Sequence, residues 1–113
     1  MKTVIIKKLI DSFPQLKENI NEIIEDYPQI YLHLVFGDAF NPIFLDLLED
    51  AKLNHNQLIK ASELLEYMLQ LDEEIQEVVV ATVLERLSDD KTKLKIFSTY
   101  AGEKTRRFIK DME

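Results

Sequence analysis

The sequence contains no cysteine, no tryptophan, two glycines and three prolines in 113 residues. Without cysteine the chain can form no disulfide, no thiolate metal site and no cysteine nucleophile, as is usual in a reducing compartment. An all-β protein needs a turn about every 8–12 residues, and so few glycines and prolines cannot supply those turns. These absences favour an all-helical protein.

Long apolar runs are also missing. No stretch approaches the roughly 18 apolar residues of a membrane span. At the N-terminus, Lys7 and Lys8 interrupt the apolar residues before they reach the roughly 7–15 residues of an export signal. We therefore expect a cytoplasmic protein that has no contact with a membrane, folded as one domain over residues 1–113.

Charge is plentiful but uneven along the chain, whose formal net charge is −7. Residues 1–10 carry three bases and no acid, residues 11–90 carry 18 acids and 4 bases, and residues 91–113 carry 7 bases and 3 acids. An acidic body of this kind repels nucleic acid and attracts basic partners.

The apolar spacing predicts six or seven short helices packed as antiparallel hairpins. The segments with the clearest helical pattern are 2–11, 16–27, 41–50, 55–71, 73–87, 89–100 and 103–112. The pair 55–71 and 73–87 resembles one unit of a HEAT-type helical stack, although no second copy has matching residues.

The helix predicted over 73–87 contains the apolar run from Val78 to Leu84. A helix that is apolar on nearly every side must be covered by several neighbours, so we expect it at the centre of the bundle. The positive end of the helix dipole favours the acidic residues at its start, and Ser88-Asp89-Asp90 supplies a stop and a cap for the helix that follows.

The segment Ile30–Phe36 fits either a buried strand or two turns of buried helix. No partner strand exists elsewhere in the chain, so helix is preferred, with Gly37 ending it at positive φ. The residues from here to Pro42 are interpreted as a structural corner in which Asp38 or Asn41 caps the next helix. The corner residues are His33, Phe36, Gly37, Asp38, Asn41 and Pro42.

His33 and Asp38 could also act as a base and its orienting acid. However, they lie five residues apart across a glycine, and no nucleophile is nearby. His33 and His55 lack the spacing of a zinc site. We therefore expect no catalytic residue, no cofactor and no metal site.

Two surface features are candidates for binding. Acids recur at helical spacing on several predicted helices, and such a surface would suit a basic protein: Glu18, Glu22, Glu25, Asp26, Glu63, Glu66, Glu73, Glu74 and Glu77. A glycine, a hydroxyl and two arginines at the start of the last helix could hold an anion on free N–H groups: Gly102, Thr105, Arg106 and Arg107. Internal salt bridges are the simpler explanation of those arginines.

Several landmarks together resemble a small family of uncharacterised all-helical bacterial proteins: Phe13-Pro14, the segment 33–38 with Asn41-Pro42, the segment 78–87 followed by Asp89, and Gly102 with Thr105-Arg106. The size and acidity are similar to those of immunity proteins that neutralise toxins by binding them. We therefore expect a non-enzymatic protein-binding module, with an immunity-like inhibitor of a basic toxin or nuclease as the specific form. The alternative is a nucleic-acid or phosphate binder that uses the basic segment 91–110.

Overall fold

The computed structural model describes residues 1–113 and consists of seven helices without any strand. The all-α fold predicted from the sequence is confirmed. We number the helices in chain order. The uniform helices are α1 (Lys2–Ser12), α4 (His55–Leu69), α6 (Lys91–Ser98) and α7 (Glu103–Met112), and α2 begins with a 3-10 turn, Pro14–Leu16, that continues as Lys17–Glu25. Helices α3 and α5 each contain a π-helical middle segment: α3 consists of Leu32–Leu34, Val35–Phe40 and Asn41–Glu49, and α5 consists of Glu73–Glu77, Val78–Leu84 and Glu85–Ser88. None of these helices is both long enough and apolar enough to cross a membrane.

Helix α3 runs without a break through the segment that was predicted to be a corner. Val35–Phe40 is π-helical, Gly37 does not have a positive φ, and neither Asp38 nor Asn41 caps a helix. The predicted corner is therefore wrong. Proline inside a regular α-helix lacks an N–H and clashes with the carbonyl four residues before it, and the wider π turn just before Pro42 relieves that clash.

The aromatic core is built around α3. Phe36, Phe40 and Phe44 lie four residues apart and are at most 1% exposed. Phe13, from the turn between α1 and α2, meets Phe40 edge-on, and Phe97 of α6 meets Phe44 in the same way. These contacts join three separate parts of the chain, and they belong to a single cluster of 30 buried apolar residues.

Helix α5 packs against α3, α4, α6 and α7, as expected of a central element. Its Val79, Leu84 and Leu87 are fully buried, whereas Val80 and Ala81 remain partly exposed. Helices α3 and α4 are just as surrounded by neighbours. The centre of the molecule is thus shared by three helices.

The residue just before a helix caps it through its own side chain at two helices, and in both that residue is an aspartate. Asp72 accepts from the N–H of Ile75 at the start of α5, and Asp90 accepts from the N–H of Lys93 at the start of α6. Asn54 does not cap α4, and its amide nitrogen donates to the carbonyl of Leu47 at 3.1 Å. The asparagine is used instead to hold the end of α3 beside α4.

Candidate functional site

The two π-helical segments lie against each other where α3 meets α5. The imidazole Nδ1 of His33 is hydrogen bonded to the Thr82 hydroxyl at 2.5 Å, and the Asn41 amide donates to the Thr82 carbonyl at 3.0 Å. His33 is exposed rather than buried. A histidine inside an apolar run such as 30–36 is more often buried, but this side chain reaches the surface.

Asn41 is 7% exposed, and its side-chain oxygen has no hydrogen-bond partner. Only its amide nitrogen makes a hydrogen bond, which it donates to the Thr82 carbonyl. The contact therefore ties α3 to α5 between the two π segments. The one side-chain partner of His33 at this junction is the Thr82 hydroxyl.

The start of α7 holds an anion that belongs to the protein itself. The Glu66 carboxylate of α4 accepts from the N–H of Thr105 at 2.9 Å, from the Thr105 hydroxyl at 2.9 Å and from the N–H of Lys104 at 3.1 Å. Gly102 lets this carboxylate approach, because a Cβ there would stand 2.6 Å from the Glu66 carboxyl carbon. The N–H groups expected to bind an external anion are already occupied.

Partial burial acts to raise the pKa of Glu66. The hydrogen bonds from Thr105 and Lys104, together with the Lys104 charge, outweigh that effect and hold the pKa below its ordinary value of 4.5. Glu66 is therefore ionised at neutral pH and engaged inside the fold. It does not belong to the free acidic surface to which the sequence pattern assigned it.

The other residues of the predicted anion site differ in their surroundings. Arg107 pairs with Glu103 at 2.6 Å on the same helix, and Arg106 is exposed without an ion-pair partner. Thr105 is fully buried beneath Glu66. The site predicted from Gly102 to Arg107 is thus a helix cap supplied by α4.

The remaining predicted acids divide among three helices. Glu73, Glu74 and Glu77 lie at the start of α5, where Lys2 pairs with Glu74 at 3.5 Å. Glu63 is exposed on α4 and has no ion-pair partner. The largest group lies on α2 and directly after it.

On α2, Glu18, Glu22 and Glu25 line one shallow depression together with Lys17 and Asn21. These glutamates and the adjacent Asp26 are exposed, and no base lies within 4.0 Å of their carboxylates. Glu25 and Asp26 stand at the C-terminal end of the helix, where the dipole disfavours negative charge. The protein therefore keeps these charges at a small cost in stability.

An exposed aromatic pair follows immediately. Tyr27 is 46% exposed and Tyr31 is 41% exposed, and their rings meet edge to face with centroids 5.4 Å apart. Tyr27 continues the apolar spacing of Leu16, Ile20 and Ile23 along the chain, yet its ring is exposed. We call Glu18, Glu22, Glu25, Asp26, Tyr27 and Tyr31 the acidic–aromatic surface.

A second concave feature lies along α4. It is an open groove of about 760 Å³, and its lining comes from α4 and the turn between α6 and α7: His55, Ile59, Ser62, Glu63, Glu66, Tyr67, Gln70, Thr99, Tyr100 and Gly102. The sequence reading missed this groove. The Tyr100 hydroxyl lies within hydrogen-bond distance of the Ala51 carbonyl and of His55.

No three histidine or carboxylate side chains lie close enough together to hold a metal ion.

Residues 6–113 match the model of a domain of unknown function, DUF7674. The chain belongs to this family. The resemblance to a family without an assigned activity is therefore confirmed. No curated protein and no solved structure matches the chain.

Proposed function

We propose that this member of the family is a non-enzymatic protein-binding module that recognises a basic protein through the acidic–aromatic surface. The observation that carries the proposal is the group of four exposed carboxylates on and after α2, none of which has an internal base. Because these groups make no ion pair in the free protein, a basic partner breaks none when it binds them.

The neighbouring tyrosines add to this argument. Interfaces draw most of their energy from a few large side chains, often tyrosine, and charges around them increase the association rate. Tyr27 and Tyr31 support each other edge to face, and they follow the carboxylates directly in the chain. We propose that these exposed rings act as anchors beside the carboxylates of α2.

The specific form that we propose is an immunity-like inhibitor that covers a basic toxin or nuclease. The test is co-expression and mixing of the protein with the product of the adjacent gene, followed by measurement of complex formation and of inhibition. We expect a stable complex whose association slows as salt is added. Failure to form a complex and to inhibit would reject this form of the proposal.

Charge-matched variants locate the binding surface. The variant E18Q/E22Q/E25Q is expected to weaken the complex by about thirtyfold or more, the scale of an interface hot spot. The control D38N/D46N/E85Q removes three exposed, unpaired carboxylates elsewhere, so it has the same net charge. Equal losses from both variants would show that net charge alone acts, and recognition by α2 would be wrong.

The alternative, a nucleic-acid or phosphate binder using residues 91–110, has less support. Lys93 pairs with Glu49 at 2.6 Å, Arg107 pairs with Glu103, and Lys91 donates to the Met112 carbonyl. The start of α7 is occupied by Glu66. Binding of a short DNA duplex that weakens steeply with salt would favour this alternative.

A further inference from the structure

The groove on α4 presents hydrogen-bond acceptors, and most of its side-chain donors are already engaged, with one N–H of the Gln70 amide left free. The hydroxyl of Ser62 donates to the Ile59 carbonyl, the hydroxyl of Thr99 donates to the Ile96 carbonyl, and the Tyr67 hydroxyl is directed at the Met1 sulfur. The amide of Gln70 donates to Glu66. A ligand in this groove meets mainly oxygen lone pairs.

His55 also presents an acceptor. The Tyr100 hydroxyl lies 3.3 Å from the Ala51 carbonyl and 3.2 Å from Nδ1 of His55, and when it donates to the carbonyl it accepts from Nδ1–H of His55. In a neutral imidazole that arrangement leaves the other nitrogen, Nε2, unprotonated. This tautomer adds one more lone pair to the groove.

The two charged residues of the lining are both carboxylates. Each Glu66 oxygen already accepts two hydrogen bonds, from Thr105 at one oxygen and from Lys104 and Gln70 at the other. Glu63 has neither an ion pair nor a hydrogen bond to its carboxylate. Lys8 and Lys60 line the depression on the other side of Glu63, and neither lies within 4.0 Å of its oxygens.

Aromatic rings complete the lining. Tyr100 and His55 have ring centroids 5.4 Å apart. Tyr67 lines the groove and also the neighbouring depression, where the Lys8 ammonium lies 4.6 Å from its ring centroid. That contact shows that a cation is already accommodated against this ring in the folded protein.

We infer that this groove binds an alkylguanidinium group, with the Glu63 carboxylate as its charged partner and the rings of Tyr67 and Tyr100 beside its planar face and apolar stem. A guanidinium carries only donors, pairs with a carboxylate through two parallel hydrogen bonds and stacks on aromatic rings. The volume lies within the roughly 300–1,000 Å³ of small-molecule sites. This site is separate from the acidic–aromatic surface, and neither proposal depends on the other.

The test is a titration of the labelled protein with n-butylguanidinium chloride, followed through amide chemical shifts. We expect saturable shifts confined to residues 55–70 and 99–102. The neutral analogue n-butylurea, of similar shape, should produce none. Shifts of equal size with the urea, or shifts spread over α2, would overturn the assignment.

Variants assign the charged partner. Glu63→Gln should weaken n-butylguanidinium binding about tenfold or more, since hydrogen bonds between charged groups are lost. Glu18→Gln, which removes a carboxylate outside the groove, should leave the affinity unchanged. Unaltered binding by the Glu63 variant would contradict the inference, and far-UV circular dichroism of both variants excludes misfolding as a cause.

A second ligand distinguishes a guanidinium that belongs to an arginine side chain of a partner protein from one that belongs to a free small molecule. N-acetyl-arginine amide carries the group as it occurs in a peptide. Binding equal to or tighter than that of n-butylguanidinium, and sensitive to Glu63→Gln, would assign the groove to an arginine side chain of a partner protein. Binding of n-butylguanidinium alone would assign it to a free small molecule. Binding of neither compound would reject the site.

Discussion

At the scale of single residues, the contact between Gly102 and Glu66 shows why one position needs glycine. Gly102 has φ −71° and ψ 176°, a conformation that any residue can adopt. The requirement is space, because the Glu66 side chain occupies the place of a Cβ. The carboxylate cannot withdraw without giving up its hydrogen bonds to the first turn of α7.

Gly102→Ala is expected to lower the free energy of unfolding by about 1–2 kcal/mol, the value of a lost helix cap. Gly37→Ala is the matched control. Its Cβ would meet the Thr82 methyl at an ordinary 3.5 Å, so removal of a glycine from a helix should stabilise the protein by about 0.5–1 kcal/mol. Urea unfolding measures both, and equal effects of the two substitutions would refute the steric argument.

The pH dependence of stability tests the charge on Glu66. The pKa of the Glu66 carboxyl in the folded protein lies below 4.5. The ionised carboxylate therefore stabilises the folded protein fully above that pH, and this stabilisation is lost as the pH falls through the lower, folded-state pKa. Glu66→Gln should therefore be less stable than the native protein at pH 7, with the difference shrinking as the pH falls below 4.5. Thermal unfolding from pH 7 to pH 3 measures this difference. A difference that is independent of pH would show that the charge contributes nothing.

The sequence could identify the chemistry at α7 but not the partner. A glycine followed by a helix start correctly indicated free N–H groups suited to an anion. The anion comes from α4, 38 residues earlier than Lys104. Spacing along the chain carries no information about such a distant pairing, so Glu66 looked like one more surface acid.

At the scale of elements, α3 shows how local signals can be overruled. Gly37 and Asn41-Pro42 are typical of a helix end and a new start. The apolar pattern nevertheless continues across them, as Phe36, Phe40 and Phe44 share one face and are buried together. The burial of that face favours one continuous helix, with a π turn that accommodates Pro42.

Asn41 is expected to stabilise the contact between α3 and α5 by donating a hydrogen bond to the Thr82 carbonyl. Asn41→Ala should cost about 1–3 kcal/mol in unfolding free energy, because it leaves a partly buried carbonyl without this donor. His33→Ala removes an exposed hydrogen bond to the same residue and should cost less than about 1 kcal/mol. Chemical denaturation of the two variants compares them directly, and a larger loss for the exposed histidine would contradict this account of the junction.

At the scale of the whole molecule, the chain measures 37 × 31 × 21 Å and encloses one cluster of buried residues. Composition and periodicity predicted its helical class and the last helix, 103–112, with the observed bounds. They could not predict which polar side chains stay free, because that depends on contacts between distant helices. Glu66 became engaged, whereas the acids of α2 remained unpaired.

The central claim is that α2 and the two tyrosines after it form the surface that meets a basic protein. Hydrogen–deuterium exchange of the complex with the product of the adjacent gene tests this claim most directly. Our account predicts slower exchange in residues 17–31 on binding, and no such slowing in the complex of E18Q/E22Q/E25Q at the same partner concentration. A complex that protects other helices and leaves residues 17–31 unchanged would contradict it.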